Sequence, residues 1–402
     1  MEIKTLLVVG GGINQLPLIC TAKECGIRVV VCDGDNNCPG ASKADVFRLA
    51  STRDCFAVLQ VAQEECVDGV ISNSEPSMVV VSRVTDALGL IGNSATSVKM
   101  IMEKNQFRKL QKDAGLFSPQ VMIVSALDEI HSWENVHFPV IVKPGESSGS
   151  RGVTVIESFD LARLDNVFAA CKSFSRNGKV VIEEYIPMPS LTICDGDIFV
   201  YKDEILWNGL FFSTRNPSAP LIPTTQTYPL LVNAEQLKMI KNAVRTLFKK
   251  AGIVFGEYNL EMYFTNEGEL FIIEINVRQG GNGIPLQIKK HSGIDFTKLL
   301  VTTAVGVDDY WNYIHTIEPC CRFICRHPVY SNQSGIFESL AIAEEIRRYV
   351  TGVDDVIEKG GIVKKCSDAA DVVAFVDLEF DSEETQRQYF DKLNDLILPI
   401  VL

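Results

Sequence analysis

Positive charge is in short supply: 38 lysines and arginines stand against 51 aspartates and glutamates, a formal net charge of −13. A nucleic-acid backbone asks for a basic surface, so that partner is excluded, whereas a local basic pocket for a nucleotide is not. No uninterrupted apolar run approaches the roughly 18 residues of a membrane span, so a membrane partner is excluded too. The opening MEIKTLLVVGGG carries Glu2 and Lys4 and enters a strand directly, without the apolar stretch and cleavage site of a secretory leader. Repeats and low-complexity tracts are missing. The 12 cysteines are scattered, and the one dense group, CCRFIC (320–325), fits no zinc spacing even with His327. Reduced thiols on buried strands of a cytoplasmic protein are the expectation.

What is present is a chain of 402 residues, 46% hydrophobic and 22% charged. That is the composition of a soluble globular protein, and the length exceeds one core and suits two or three domains. TLLVVGGG (5–12), RVVVCDGD (28–35) and DGVISNSE (68–75) read as strands alternating with the helical PLICTAKEC and MVVVSRVTDALG, a parallel βαβ pattern. GNSATSVKMIMEKNQFRKLQKDAG (92–115) reads as one helix, capped by Asn93 or Ser94 and closed by Gly115. FPVIVKP, VTVIES and KVVIEEYI are strands of a second unit. PSAPLIPTTQTYP (217–229), with four prolines, reads as a loop. Beyond about residue 316 a smaller α+β module follows, in which Arg322 and Arg326 read as surface arginines with a substrate carboxylate as the alternative. His291 and His327 are assigned to packing.

The segment FIIEINVRQGG (271–281) places Glu274, Asn276 and Arg278 at every second position, hence on one face of a strand. With YNLEMYF (258–264) it forms a hairpin across TNEG, which would set Phe264 against Glu269 and Glu261 against Ile272. Glu261 and Glu274 would then be diagonal neighbours about 7–8 Å apart, with Asn259 opposite Glu274. Two carboxylates and an amide converging on one side are unfavourable when empty and favourable around a hard cation such as Mg²⁺. Arg278 could neutralise a transferring phosphoryl group. The competing reading is a solvated, charged sheet face.

VKPGESSGSRGV (142–153) adds a second signal. Gly145, Gly149 and Gly152 let the backbone approach a ligand, Ser147, Ser148 and Ser150 add hydroxyl donors, and Lys143 ends an apolar strand within reach of phosphate oxygens. It is not a Walker A loop, since no Gly-Lys-Ser/Thr follows. Lys104 could bring a further charge, and IEEYI (182–186) offers Glu183, Glu184 and a strand edge to a base.

Taken in order, VVGGG, MEKNQFRKLQKDAG, VIVKPGESSGSRGV, VIEEYI and GEYNLEMYFTNEGELFIIEINVRQGG resemble the ATP-grasp superfamily of carboxylate–amine ligases over nearly the whole chain. The last module and the Arg-Gln-Gly-Gly ending look closest to bacterial L-amino-acid ligases, the dipeptide synthetases. The resemblance implies an α/β, ATP-grasp fold with a Rossmann-like parallel-sheet domain at 1–100. An ATP-grasp domain would follow at 101–315, with its lid at about 120–187, and an α+β module at 316–402. It implies ATP and Mg²⁺, or Mn²⁺ in its place, as cofactors, and a small carboxylic acid and an amine as substrates. Lys104 and Lys143 would hold the phosphates under the loop from Gly145 to Gly152, and Glu183 with the backbone of Glu184, Tyr185 and Ile186 would receive adenine. Glu261, Glu274 and Asn276 would bind the metal, and Arg278 would steady the acyl-phosphate. Ser190 stands where the family often has an acidic residue. A homodimer is the expected assembly.

Three rivals remain at this stage. ATP-grasp chemistry with bicarbonate or a sugar amine is one. A nicotinamide oxidoreductase is another, on VVGGGINQ and Asp33, although Gly10-x-Gly12-x-x-Gln15 lacks the third glycine. A non-catalytic nucleotide sensor is the third, and it has no need of Arg278.

Overall fold

The computed structural model describes residues 3–130, 136–145, 152–175, 177–190, 192–216, 219–367 and 369–402, with the backbone alone at 219–221. Ser147, Ser148, Gly149 and Ser150 lie outside the described residues.

The N-terminal unit is a parallel sheet of four short strands: β1 (Thr5–Val9), β2 (Arg28–Asp33), β3 (Val46–Leu49) and β4 (Gly69–Ile71), in the order β3-β2-β1-β4. The first, second and fourth are the apolar runs read from the sequence; β3 is half exposed and carries no such run. Helices α1 (Leu16–Glu24), α2 (Cys55–Glu64) and α3 (Met78–Leu88) cover it.

The helix expected over 92–115 is two helices. Ser94 caps α4 (Ala95–Met102), and α5 (Lys104–Asp113) starts anew after Glu103, whose ψ of 115° is extended. The break places Lys104 in the first turn of a helix, at the wall of the cleft described below.

A second sheet follows, β5 (Val121–Val124), β6 (Val140–Pro144), β7 (Thr154–Ile156) and β8 (Val180–Glu184), ordered β5-β8-β6-β7 and backed by α6 (Leu161–Phe174). The central sheet begins with β9 (Thr192–Tyr201), β10 (Glu204–Asn216) and β11 (Ala219–Tyr228), continues after α7 (Ala234–Ala251) with β12 (Gly256–Phe264) and β13 (Leu270–Asn276), and resumes after α8 (Ile284–Ser292) and α9 (Phe296–Ala304) with β14 (Phe323–Val329). Then come β15 (Gly335–Ile342), β16 (Val350–Asp355), β17 (Ile362–Val363), β18 (Ala374–Phe380) and β19 (Ile397–Val401). Eight strands form one sheet in the order β13-β12-β9-β10-β11-β14-β18-β16, so three strands beyond residue 316 extend the sheet that carries the site; β17, β15 and β19 form a small separate sheet.

The proline-rich stretch is therefore a strand, not a loop. Proline cannot donate to a ladder, and the pairing of β10 with β11 is correspondingly irregular where Pro223 meets Arg215. Side chains supply part of the missing ladder: the Thr225 backbone N–H donates to Thr214 Oγ1 at 3.0 Å, and the Thr214 and Thr224 hydroxyls meet at 2.6 Å.

Alternation decides which side faces the chemistry. Tyr258, Leu260 and Met262 point to α4, α5 and α7, in a core with Ile272, Ile275, Leu247 and Phe248. Glu257, Asn259 and Glu261 point to the other face, where Phe199, Phe211 and Tyr228 pack on α8 and α9. Among the described residues no helix is long and apolar enough to cross a membrane. No disulfide is formed among the described cysteines; Cys325 is buried on β14, but Cys320 and Cys321 precede the strand and are exposed, contrary to the sequence expectation.

Candidate active site

The hairpin register differs from the sequence reading by a one-residue shift at the turn and by one bulge. Phe264 pairs with Leu270, Tyr263 with Phe271 and Met262 with Ile272, but Glu261 then pairs with Glu274, leaving Ile273 as the extra residue. Asn259 correspondingly faces Asn276. Without the bulge Glu261 would face Ile273, and Glu274 would point into the core around Ile272. One added residue in a strand exchanges its faces. The two carboxylates are thus directly opposed rather than diagonal.

The bulge is held by α5. Arg108 donates through Nη1 to the Ile272 carbonyl (2.9 Å) and through Nη2 to the Ile273 carbonyl (2.8 Å), and Gln111 Nε2 donates to Ile272 as well (3.0 Å). Arg108 lies 3% exposed, packed over the Phe271 ring. Sequence reasoning passed it over, although it stands within MEKNQFRKLQKDAG on the buried helix face beside Phe107 and Gln111.

Burial and the surrounding charges act on the two carboxyls in opposite senses. Burial raises the Glu274 carboxyl, but Lys104, Asn276, Lys143 and Arg278 outweigh it and hold the group below the usual carboxylate range. Burial lifts Glu261 above that range; Arg215 opposes the rise and the charge of Glu274 adds to it. Asn276 Nδ2 donates to Glu274 Oε1 (3.1 Å) and to Asn259 Oδ1 (3.3 Å). Among the described residues no group of three or more His, Cys, Asp or Glu side chains is arranged to hold a metal. Two opposed carboxylates and an amide do fit Mg²⁺, which takes one or two protein carboxylates and fills its shell with phosphate oxygens and water. Glu261, Glu274 and Asn276 are the residues that would hold it.

Behind the pair lies a second acidic row that the sequence analysis did not find. Asp195 and Asp197 on β9 pair with Glu261 and Asn259. Asn259 Nδ2 donates to Asp197 Oδ1 (2.9 Å) and Asp195 Oδ1 (3.3 Å), and the Gly280 backbone N–H donates to Asp197 Oδ2 (2.8 Å). Burial, then Glu261, push Asp195 up to about 8, and burial together with Asp197 puts Glu257 well above the usual range. Gln279 bonds Glu257 (2.8 Å) and Thr297 (2.9 Å). This network ties down the Gln-Gly-Gly turn after Arg278. The Asp-x-Asp alternation in TICDGDIFVY was the available signal, of the same kind as Glu-x-Asn.

On the β5–β8 sheet, Lys143 Nζ lies 3.1 Å from Glu183 Oε2, and Arg108 Nη2 donates to Glu183 Oε1 at 2.8 Å. The resemblance implies adenine for Glu183, yet both its oxygens are turned to cations; Lys143 and Arg108 hold its carboxyl low against the opposing effect of burial. The Glu184 N–H donates to Gln120, the Tyr185 N–H to Pro139, and the Ile186 carbonyl accepts from Tyr263 Oη (2.6 Å). Gly145 bonds Lys179 and borders the cleft, and Gly152 has a φ of +72° with Phe174 against it. Ser190 is exposed.

Lys104, Gly145, Lys179, Arg278 and Gly280–Gly283 line a cleft of about 1390 Å³ whose opposite wall is the N-terminal unit, at Asn14, Asn73 and Arg83. Arg278 itself donates to the Gln279 carbonyl (2.6 Å). The glycine turn at Gly10–Gly12 is filled from within: the Gly40 N–H donates to Gly11 O (2.7 Å), and a Cβ on Gly11 would meet Cys38 Sγ at 2.4 Å. Asp33 accepts from the Gly11 N–H, an internal cap in place of a ribose contact. Arg322 is exposed and paired with Glu379, but Arg326 is no surface arginine. It is 7% exposed, bonds Asp377 (2.7 Å) and Asp354 (2.9 Å), and stacks on Phe375. His327 is buried against Thr225, and His291 bonds the Arg322 carbonyl.

Residues 110–304 match the family described as "D-ala D-ala ligase C-terminus". The chain is 25% identical over 263 residues to the L-arginine-specific L-amino acid ligase of Bacillus subtilis, covering 62% of this chain and 61% of that protein. Among solved structures, the L-amino acid ligase of Bacillus licheniformis superposes with a TM-score of 0.78 at 20% identity, covering 100% of both chains. The phosphoribosylglycinamide synthetase of Anaerococcus prevotii does so at 0.72 and 19%, also covering 100% of both. The protein therefore has the ATP-grasp fold of these ligase structures, and its residues 110–304 carry the match to the ligase family.

Proposed function

We infer that this ligase transfers the terminal phosphoryl group of ATP to a small carboxylic acid, an amino acid foremost, and couples the acyl-phosphate to an amine, releasing ADP and phosphate. The observation that carries the reading is the direct opposition of Glu261 and Glu274 beside Arg278, with Lys104 and Lys143 acting on Glu274.

Bound Mg²⁺ would supply neutralisation of the phosphate oxygens. The protein's own contributions are positional. Lys104 and Lys143 would carry the phosphates, and the strand end Glu184–Ile186 would edge the base. Arg278, at the cleft wall, would meet the charge that builds on the acyl-phosphate and on its tetrahedral adduct with the amine. A cleft of about 1390 Å³ exceeds the ordinary small-molecule pocket of roughly 300–1,000 Å³, which suits a nucleotide together with two small substrates. Cysteines without disulfides among the described residues suit a reducing compartment such as the cytoplasm.

The test is a phosphate-release screen over pairs of amino acids and other small acids and amines, including bicarbonate and a phosphoribosylamine, with products identified by mass. Amide products from amino acids bear the reading out. ATP consumption only with bicarbonate or the sugar amine transfers the enzyme to that branch, and silence across the panel overturns it.

A further inference from the structure

Arg215 belongs to none of the roles above, yet it touches the metal pair. It lies on β10, on the face shared with Asp195 and Glu261, and reaches across β9 to put Nη2 on Glu261 Oε2 at 2.9 Å. The residue is 8% exposed, and among the described residues its Nε has no hydrogen-bond partner. A buried donor without an acceptor costs free energy unless something else supplies the oxygen.

The same carboxylate would be wanted by a divalent ion, and an arginine in contact with it competes with that ion. Were an ion to neutralise Glu261, the guanidinium held on that carboxylate would be released beside the place where the nucleotide's phosphates would be held. Arginine suits this place, because its planar fork matches phosphate oxygens two at a time and keeps its charge when buried.

We propose that Arg215 is a phosphoryl-side residue that neutralises Glu261 until the metal nucleotide arrives, then yields the carboxylate to the ion and puts its freed donors, Nε included, on the transferring phosphoryl group. It acts beside Arg278 and moves no proton: the phosphorus–oxygen bond to ADP breaks, the bond to the substrate carboxylate forms, and the charge on the three phosphoryl oxygens is met from one more side. The proposal rests on the ligase reading, but its first arm does not need turnover.

In that arm, Mn²⁺ binding is followed by the electron paramagnetic resonance signal of free Mn²⁺ in the presence of ADP, for wild type, Arg215→Ala and Arg215→Lys, with thermal unfolding as the check on folding. Removal of the competitor tightens Mn²⁺·ADP binding several-fold in Arg215→Ala, while Arg215→Lys keeps the wild-type value within a factor of two. The second arm measures ADP formation with an acid from the screen. Arg215→Ala loses about 100-fold in kcat, the scale of one deleted transition-state donor, with KM for ATP moved less than threefold, and Arg215→Lys recovers part of the loss. Weaker Mn²⁺·ADP binding in Arg215→Ala would show that the arginine merely scaffolds Glu261, and unchanged binding or turnover would make it a bystander; each overturns the proposal. If Arg215→Ala does not fold, wild-type turnover in Arg215→Lys does the same, since a point charge cannot replace the fork. Wild-type Mn²⁺·ADP binding with no ADP formed from any acid would sink the ligase reading instead.

Discussion

Glu261 and Glu274 face each other across β12 and β13 because Ile273 bulges out of the ladder and Arg108 holds the carbonyls of Ile272 and Ile273. A helix residue remote from β13 in sequence thereby sets which face of that strand Glu274 occupies. Through Glu183 the same arginine is also tied to Lys143 on β6, so the opposed carboxylates and the β5–β8 sheet share one anchor.

Substituting Glu274→Gln or Arg278→Ala leaves the fold intact and removes ADP formation by at least about 100-fold, the scale of one lost transition-state interaction. Neither side chain belongs to the apolar core. Stopped assays for ADP, paired with far-ultraviolet circular dichroism, decide it; turnover within threefold of wild type in either variant refutes the assigned roles.

Glu183→Gln is expected to cost more in stability than in any single rate constant. It leaves Arg108 and Lys143 without their shared carboxylate, and opening a buried pair from one side costs about 3–5 kcal/mol. Urea midpoints measure the loss. KM for ATP should rise with it, because Lys143 loses the partner that aims it.

Gly280→Ala probes the turn after Arg278. An added Cβ would stand 2.5 Å from Ile284 Cδ1, 2.8 Å from Asp197 Oδ1 and 3.0 Å from Asn259 Nδ2. Either the turn moves or the Asn259–Asp197 bond breaks, so activity falls while Gly281→Ala, which meets nothing within 4 Å, stays near wild type. Equal activities would separate the turn from the chemistry.

His327 fixes a pH dependence remote from the site. Burial lowers its pKa to about 3 in the folded protein, against an ordinary value of 6.5. Between those values the unfolded chain binds the extra proton, so stability from this group is complete above pH 6.5 and is lost as pH falls toward 3. The slope approaches about 1.4 kcal/mol per pH unit. Melting curves from pH 7 to 5 should be steeper for wild type than for His327→Gln. Parallel curves would mean that the imidazole is protonated in place.

The amino-acid sequence by itself determined the strand alternation at the N-terminus, the ATP-grasp motifs in order, and the facing of Glu274, Asn276 and Arg278 to one side. Those are local properties, since a period of two is written in consecutive residues. The tertiary structure alone decided the cross-strand partner of Glu274, the strand made from the proline-rich 219–228 segment, the recruitment of Asp195 and Asp197, and the burial of Arg326. It also decided the reach of Arg215 to Glu261. Each depends on which strand lies beside which, and on a bulge whose stabilising donors come from a helix about 165 residues away. A repeating pattern names a face; only packing names what stands opposite it.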